Sequence, residues 1–150
     1  MPVNRFWKNN GLQLAWVVAL VATLGSLYLS EILGYNPCKL CWIQRIFMYP
    51  LVILLGIAAL KRDNKITTYV LALSIPGGLV SLYHYLYIKT DWFKAASSFC
   101  QENPCDFDYI NWFGFITIPF MALTAFVLIT VICFLLRRAV RNSDGLHFSM

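Results

Sequence analysis

Charged side chains are scarce in this chain: Asp, Glu, Lys and Arg make up 13% of its 150 residues, against roughly 25% in an ordinary soluble domain. That deficit excludes a water-soluble globule, and the 59% hydrophobic fraction marks an integral membrane protein. Acidic residues number 7 against 12 basic ones. The resulting charge of +5 falls in short clusters between apolar runs, so it reads as a topology signal and no nucleic-acid partner is expected. Internal repeats and low-complexity tracts are lacking. A cleavable leader is lacking too: the first apolar run exceeds the roughly 7–15 residues of a signal-peptide core and continues into Tyr28 and Leu29 without a small-residue cleavage site. It is expected to remain as a transmembrane helix.

Four apolar segments remain, at 12–33, 42–60, 67–88 and 113–136. Each is close to the roughly 20 residues that carry a helix across about 30 Å of hydrocarbon. The expected fold is all-α, a four-transmembrane-helix bundle forming a single membrane domain over 1–150. Pro50 with Gly56, Pro76 with Gly77 and Gly78, and Pro119 interrupt the runs. Bilayer helices tolerate such breaks where neighbours satisfy the freed backbone groups, so kinks and close packing are the simplest reading.

Arg5, Lys8, Lys61, Arg62, Lys65, Arg137, Arg138 and Arg141 all fall on one side of these spans, and Lys39, Lys89 and Lys94 on the other. The excess of positive charge puts both termini in the cytoplasm and two cysteine-bearing loops outside. The longer of these, 89–112, holds Asp91, Glu102, Asp106 and Asp108 among Trp92, Phe93, Phe99, Phe107, Tyr109 and Trp112. Such rings settle at headgroup level, here around a short interfacial helix over 92–99. Residues 142–150 are expected to form a disordered cytoplasmic tail.

Five cysteines are present, at 38, 41, 100, 105 and 133. Cys38 and Cys41 stand C-x2-C in NPCKLCWIQRIFMY, residues 36–49, where a polar turn meets an apolar run. A helix opened by Pro37 would put Cys38, Cys41 and Arg45 on one stripe. A helix N-terminus and a nearby cation both lower a thiol pKa and populate the nucleophilic thiolate, so a redox pair is one reading. A structural disulfide or half of a metal site remain the others. Cys100 and Cys105, in FCQENPCDF, are close enough for a turn to join. A loop that small gains less than the roughly 3 kcal/mol of a 15-residue loop, which favours an exchangeable disulfide over a staple. All four outward cysteines also match Cys₄ zinc spacing, but an oxidising location and a long aromatic loop argue against a rigid site, and no metal is expected.

Arg45 lies just inside the second span, where a charge costs up to roughly 2.5–3.5 kcal/mol at the bilayer centre and so has a partner or a task. Snorkelling to the headgroups is the plainer alternative. His84, in SLYHYLYIK near the outer end of the third span, is either a proton donor to a reduced cofactor or a member of an aromatic belt. Glu31 reads as an interface residue and Cys133 as a packed free thiol.

Four spans, an outward C-x2-C at the head of the second, Arg45 one turn beyond it, and an outward cysteine pair between the third and fourth resemble the DsbB family of disulfide bond formation proteins. PCKLCWIQR is the family-like motif, and the short Gram-positive branch called BdbC is the nearest in pattern. The C-x4-C loop is more compact than in longer Gram-negative members. The resemblance implies a thiol:quinone oxidoreductase in a bacterial plasma membrane, with menaquinone or ubiquinone as cofactor. Its partner would be a thioredoxin-like extracytoplasmic thiol oxidase of the DsbA or BdbD kind. It implies catalytic roles for Cys38, Cys41, Cys100 and Cys105: Cys100 is attacked by the partner, Cys105 exchanges with Cys38, and Cys41 is left as the thiolate beside the quinone. Arg45 would hold the quinone, with His84 on the quinone side. A disulfide-braced scaffold and a vitamin K epoxide reductase-like enzyme are the competing readings.

Overall fold

The computed structural model describes residues 2–90, 92 and 118–148. Four helices carry the chain: α1 (Pro2–Glu31), α2 (Lys39–Lys61), α3 (Thr67–Lys89) and α4 (Ile118–Phe148), with a 3-10 turn at Asn64–Ile66. Among the described residues there is no strand. Each helix is long and apolar enough to cross a membrane, so the protein is a multi-pass, all-α membrane protein. Cys100, Cys105 and the rest of the 89–112 loop beyond 89, 90 and 92 lie outside the described residues, and so does all but Trp92 of the interfacial helix anticipated over 92–99.

α1 packs on α2 and α4, and α3 packs on the same two, which closes the bundle into a ring. The buried positions explain why. On α3 they recur at Thr67, Val70, Ser74, Gly77, Ser81 and His84, and on α2 at Gln44, Met48, Leu51, Leu55 and Ala58. Spacings of three and four keep one stripe of each helix turned inward. Leu, Ile and Val facing outward meet lipid, which is as apolar as they are, so helix association depends on close packing and hydrogen bonds. Small residues supply the first: Phe126, fully buried on α4, lies over Gly77 of α3, where a Cβ would come 2.5 Å from its ring. Thr130 Oγ1 lies 3.0 Å from Ser74 Oγ and supplies the second. Cys133 is fully buried in this core, the packed thiol anticipated from its place in an apolar run.

Helix ends differ from the expected spans. α1 begins at Pro2, ten residues before the apolar run, because nothing in RFWKNNG breaks a helix. α4 continues through Phe148, so 142–148 is helical where a disordered tail was expected; no proline follows Pro119 to stop it. Pro50 and Pro76 do lie inside α2 and α3. The α2–α3 connection is tight: Arg62 takes the left-handed conformation at φ 51° and its N–H donates to the Ala58 carbonyl. Asp63 then caps the 3-10 turn by accepting from the Lys65 N–H at 2.9 Å. Between α1 and α2, Gly34 at φ 68° supplies the left-handed step that turns the chain back, and the Tyr35 N–H donates to the Leu29 carbonyl at 3.2 Å. That reversal sets Asn36, Pro37 and Cys38 against the bundle.

Candidate active site

Helix α2 opens at Lys39, two residues later than a Pro37 start, and Cys38 is its N-cap. Cys38 has extended backbone (φ −72°, ψ 172°), and its carbonyl accepts from the Trp42 N–H at 3.1 Å. The stripe anticipated for Cys38, Cys41 and Arg45 therefore starts from the cap, not from within the helix. Both thiols are free and their Sγ atoms are 3.2 Å apart. Cys38 is the more buried of the two, because the chain reversal folds it under α3.

His84 comes from α3 to meet it. The ring is buried at 2% exposure, with Nε2 3.7 Å from Cys38 Sγ and Nδ1 3.2 Å from the Gln44 amide nitrogen. The ring is thus held between two residues of the α2 head rather than lying in an aromatic belt. Cys38 stands just outside the span, and its thiol is held well below the usual range. The hydrogen bond from Cys41 is the largest cause and the His84 contact a further one, with burial acting in the opposite sense.

Arg45 is buried at 8% exposure and does not snorkel. Its Nε donates to Ser26 Oγ at 3.0 Å and its Nη2 to the Ser26 carbonyl at 2.9 Å, both on α1. The guanidinium carbon also lies 5.5 Å from the centre of the Trp42 ring. Two of its five N–H groups are engaged by Ser26, and the planar fork has others for a ligand.

These side chains line one cleft of about 500 Å³, walled by α1, α2 and α4 with His84 from α3. Cys38, Cys41, Gln44, Arg45, Ser26 and Thr23 are among its polar lining residues, and Val21, Leu29, Met48, Met121 and Phe126 among the apolar ones. A cleft of this size with few polar groups suits a small, flat, mostly apolar molecule. Thr23 Oγ1 tests the fit to a quinone: it is buried and has no hydrogen-bond partner among the described residues. A hydroxyl left so in apolar surroundings is costly unless a ligand oxygen meets it. Arg45, with unengaged N–H groups, and Thr23 both line this cleft, a donor set compatible with a flat ligand that carries oxygen acceptors.

Arg45 and the Cys38–Cys41 pair lie where the motif put them, and His84 joins them through the third helix. Gln44, Ser26 and Thr23 were missed. Gln44 is the one amide in the 42–60 run, and Thr23, Ser26 and Ser30 form a hydroxyl stripe at helical spacing on α1; either was a usable signal. The same pair with His84 also offers three metal-ligand atoms within 4.8 Å of one another.

Comparison with known proteins gives the chain a family. The family profile described as "Disulfide bond formation protein DsbB" matches residues 8–136. Disulfide bond formation protein C of Bacillus subtilis (strain 168) is 53% identical over 123 residues, covering 82% of this chain and 89% of that relative. Probable disulfide formation protein C 1 of Bacillus anthracis is 53% identical over 121 residues, 81% of this chain and 87% of the relative. A probable disulfide formation protein of Coxiella burnetii (strain Dugway 5J108-111) is 46% identical over 127 residues, 83% and 86% of the two chains. No solved structure matches. The profile runs from before Leu12, the first core residue of α1, to Leu136 on α4, and so takes in the core of the whole ring. The chain belongs to the DsbB family of disulfide bond formation proteins.

Proposed function

We propose that this protein is a thiol:quinone oxidoreductase that reoxidises a thioredoxin-like thiol oxidase outside the cytoplasm and passes the electrons to menaquinone or ubiquinone. Disulfide bond formation in secreted proteins would depend on it. The observation that carries the reading is the free Cys38–Cys41 pair opening into the same cleft as Arg45 and the unpartnered Thr23 hydroxyl.

The relay begins at Cys100 and Cys105. A thiolate of the partner attacks Cys100, and Cys105 leaves. Cys105 then attacks Cys38 of the oxidised Cys38–Cys41 pair, a new Cys38–Cys105 bond forms, and Cys41 leaves as a thiolate inside the cleft. The partner's second thiol displaces Cys100 and closes the partner's own disulfide. Cys100 then recovers Cys105 and frees Cys38. Cys38 and Cys41 now hold the two electrons that the partner lost. A quinone held in the cleft would supply the oxidant, with capacity for the two electrons and two protons that leave the pair. The Cys38–Cys41 disulfide closes again, and each 30 mV of potential difference contributes about 1.4 kcal/mol to the drive.

The remaining groups have assigned tasks. Cys38, at the N-cap of α2, would be the member of the pair that exchanges with Cys105, and Cys41 follows it in the first turn of the helix. His84 Nε2, 3.7 Å from Cys38 Sγ, would give and take the proton there, while Arg45 and Thr23 would hold the quinone. Ser26 keeps the guanidinium turned inward. The basic clusters at the start of α1, in the α2–α3 turn and near Arg137 and Arg138 support a topology with those ends in the cytoplasm and the cysteine pairs outside. The relay uses no metal.

The test is quinone-dependent oxidation of a reduced thioredoxin-like partner by membranes containing the protein. Cys41→Ser should abolish it; full activity in that variant would overturn the reading.

A further inference from the structure

The reduced pair presents a donor set that a quinone does not use. Cys38 Sγ, Cys41 Sγ and a ring nitrogen of His84 lie within 4.8 Å of one another. With Zn–S near about 2.3 Å and Zn–N near about 2.0–2.1 Å, the ligand atoms of a tetrahedral zinc site stand roughly 3.5–3.8 Å apart. His84 Nε2 is already 3.7 Å from Cys38 Sγ. The two sulfurs, 3.2 Å apart, need to open by roughly half an ångström to reach that spacing. Two thiolates and an imidazole are the ligands that thiophilic d¹⁰ cations select. Gln44 completes the arrangement. Its amide lies 3.2 Å from Nδ1, and a half-turn of that amide puts its oxygen where it accepts the Nδ1 proton, leaving the Nε2 lone pair toward the sulfurs. Metal-bound histidines ordinarily carry such a partner on the other nitrogen. All three residues line the cleft, from which water would take the fourth position.

We propose that the reduced Cys38–Cys41 pair, with His84, binds a thiophilic d¹⁰ cation such as Zn²⁺ and that the bound cation holds the pair out of the relay. Two S–Zn bonds and one N–Zn bond form, two thiol protons leave, and no electron moves. The oxidised pair has no thiolate to offer, so the site exists only in the reduced protein. It needs no quinone, so this inference and the quinone reading fail separately.

The full chain carrying Cys100→Ser, Cys105→Ser and Cys133→Ser keeps the pair as its only thiols. Reduced and titrated with Cd²⁺ alone, it should develop a thiolate-to-metal absorption that saturates at one ion per chain and vanishes once the pair is oxidised. Gln44→Leu should weaken Cd²⁺ binding by roughly 10–100-fold, and His84→Ala by more. Equal affinity in His84→Ala and the parent would overturn the proposal. X-ray absorption of the Zn²⁺-loaded parent guards against a variant that fails to fold: two sulfurs and an imidazole nitrogen support the site, and a shell without imidazole overturns it. Quinone reduction by the metal-free wild type, followed in parallel, reports on the quinone reading alone.

Discussion

One stripe of α3 runs through two different environments. At Ser74 and Gly77 it meets α4: Phe126 fills the space over the glycine and Thr130 reaches the serine, so nothing is left open. Two turns on, at His84, the same stripe meets the head of α2 and borders a cleft of about 500 Å³. Small residues permit the close approach below. Above Phe126 the cleft stays open, and beside Leu40 and Tyr87 the buried groups among the described residues include a thiol, an amide, an imidazole and a guanidinium. Interiors pack densely unless something is to enter, and buried polar groups without packing value are costly. The lower half of the bundle therefore reads as scaffold and the upper half as site.

The comparison can be broken most severely at Gly77. A methyl there would stand 2.5 Å from Phe126 Cε1 and 2.7 Å from Cζ, against a ring with no exposed face to swing into. Gly77→Ala should lose about 1–3 kcal/mol of stability in denaturant titrations of the detergent-solubilised protein. Phe126→Leu in the same chain should restore part of it. An unchanged midpoint would mean that the seam is looser than described.

Arg45→Ala strikes the other half. Loss of the fork should raise the apparent quinone KM about tenfold, equivalent to about 1.4 kcal/mol, with Arg45→Lys recovering only part because one ammonium cannot reproduce the planar donors. Unchanged quinone kinetics would remove Arg45 from the binding site. Thr23→Val should act more weakly, raising the same KM by an amount equivalent to about 0.5–1.5 kcal/mol, one neutral hydrogen bond. Stability should hold or rise, since the variant deletes an unpartnered buried hydroxyl. A rise in stability with no change in KM would make Thr23 a packing residue only.

The smallest effect sharpens the picture at Cys38. Its thiol is depressed below an unfolded value of about 8.5, so its contribution to stability is fully present above that value and is lost as pH falls through the folded one. In a chain whose other cysteines are serine except Cys41, alkylation of Cys38 should stay nearly flat as pH drops from about 8.5 toward neutrality, where an ordinary thiol would slow about tenfold per unit. His84→Ala should raise the midpoint only slightly, because the Cys41 hydrogen bond is the larger cause. A midpoint at the ordinary thiol value in the parent would contradict the arrangement.

The four spans were legible because apolar length is a composition signal. Helix ends were not, since the polar residues before Leu12 and after Arg141 neither favour nor forbid another turn. Cys38, Cys41 and Arg45 were legible from local spacing on one segment. What Arg45 touches was not: the sulfur stripe suggested a cysteine neighbour, whereas its hydrogen bonds go to Ser26, 19 residues back on another helix. His84 shows the same limit, because its meeting with Cys38 spans 46 residues of sequence and depends on where α3 crosses α2. Spacing within a helix can be read from the chain; contacts between helices need the packing.

The account's central claim is that the Cys38–Cys41 pair is oxidised directly from the cleft. It is tested most directly by adding quinone, with no partner protein and no oxygen, to the reduced chain carrying Cys100→Ser, Cys105→Ser and Cys133→Ser, whose only thiols are Cys38 and Cys41, and counting free thiols. The account predicts that both thiols disappear as one quinol forms per chain. Two thiols persisting while the quinone stays oxidised would contradict it.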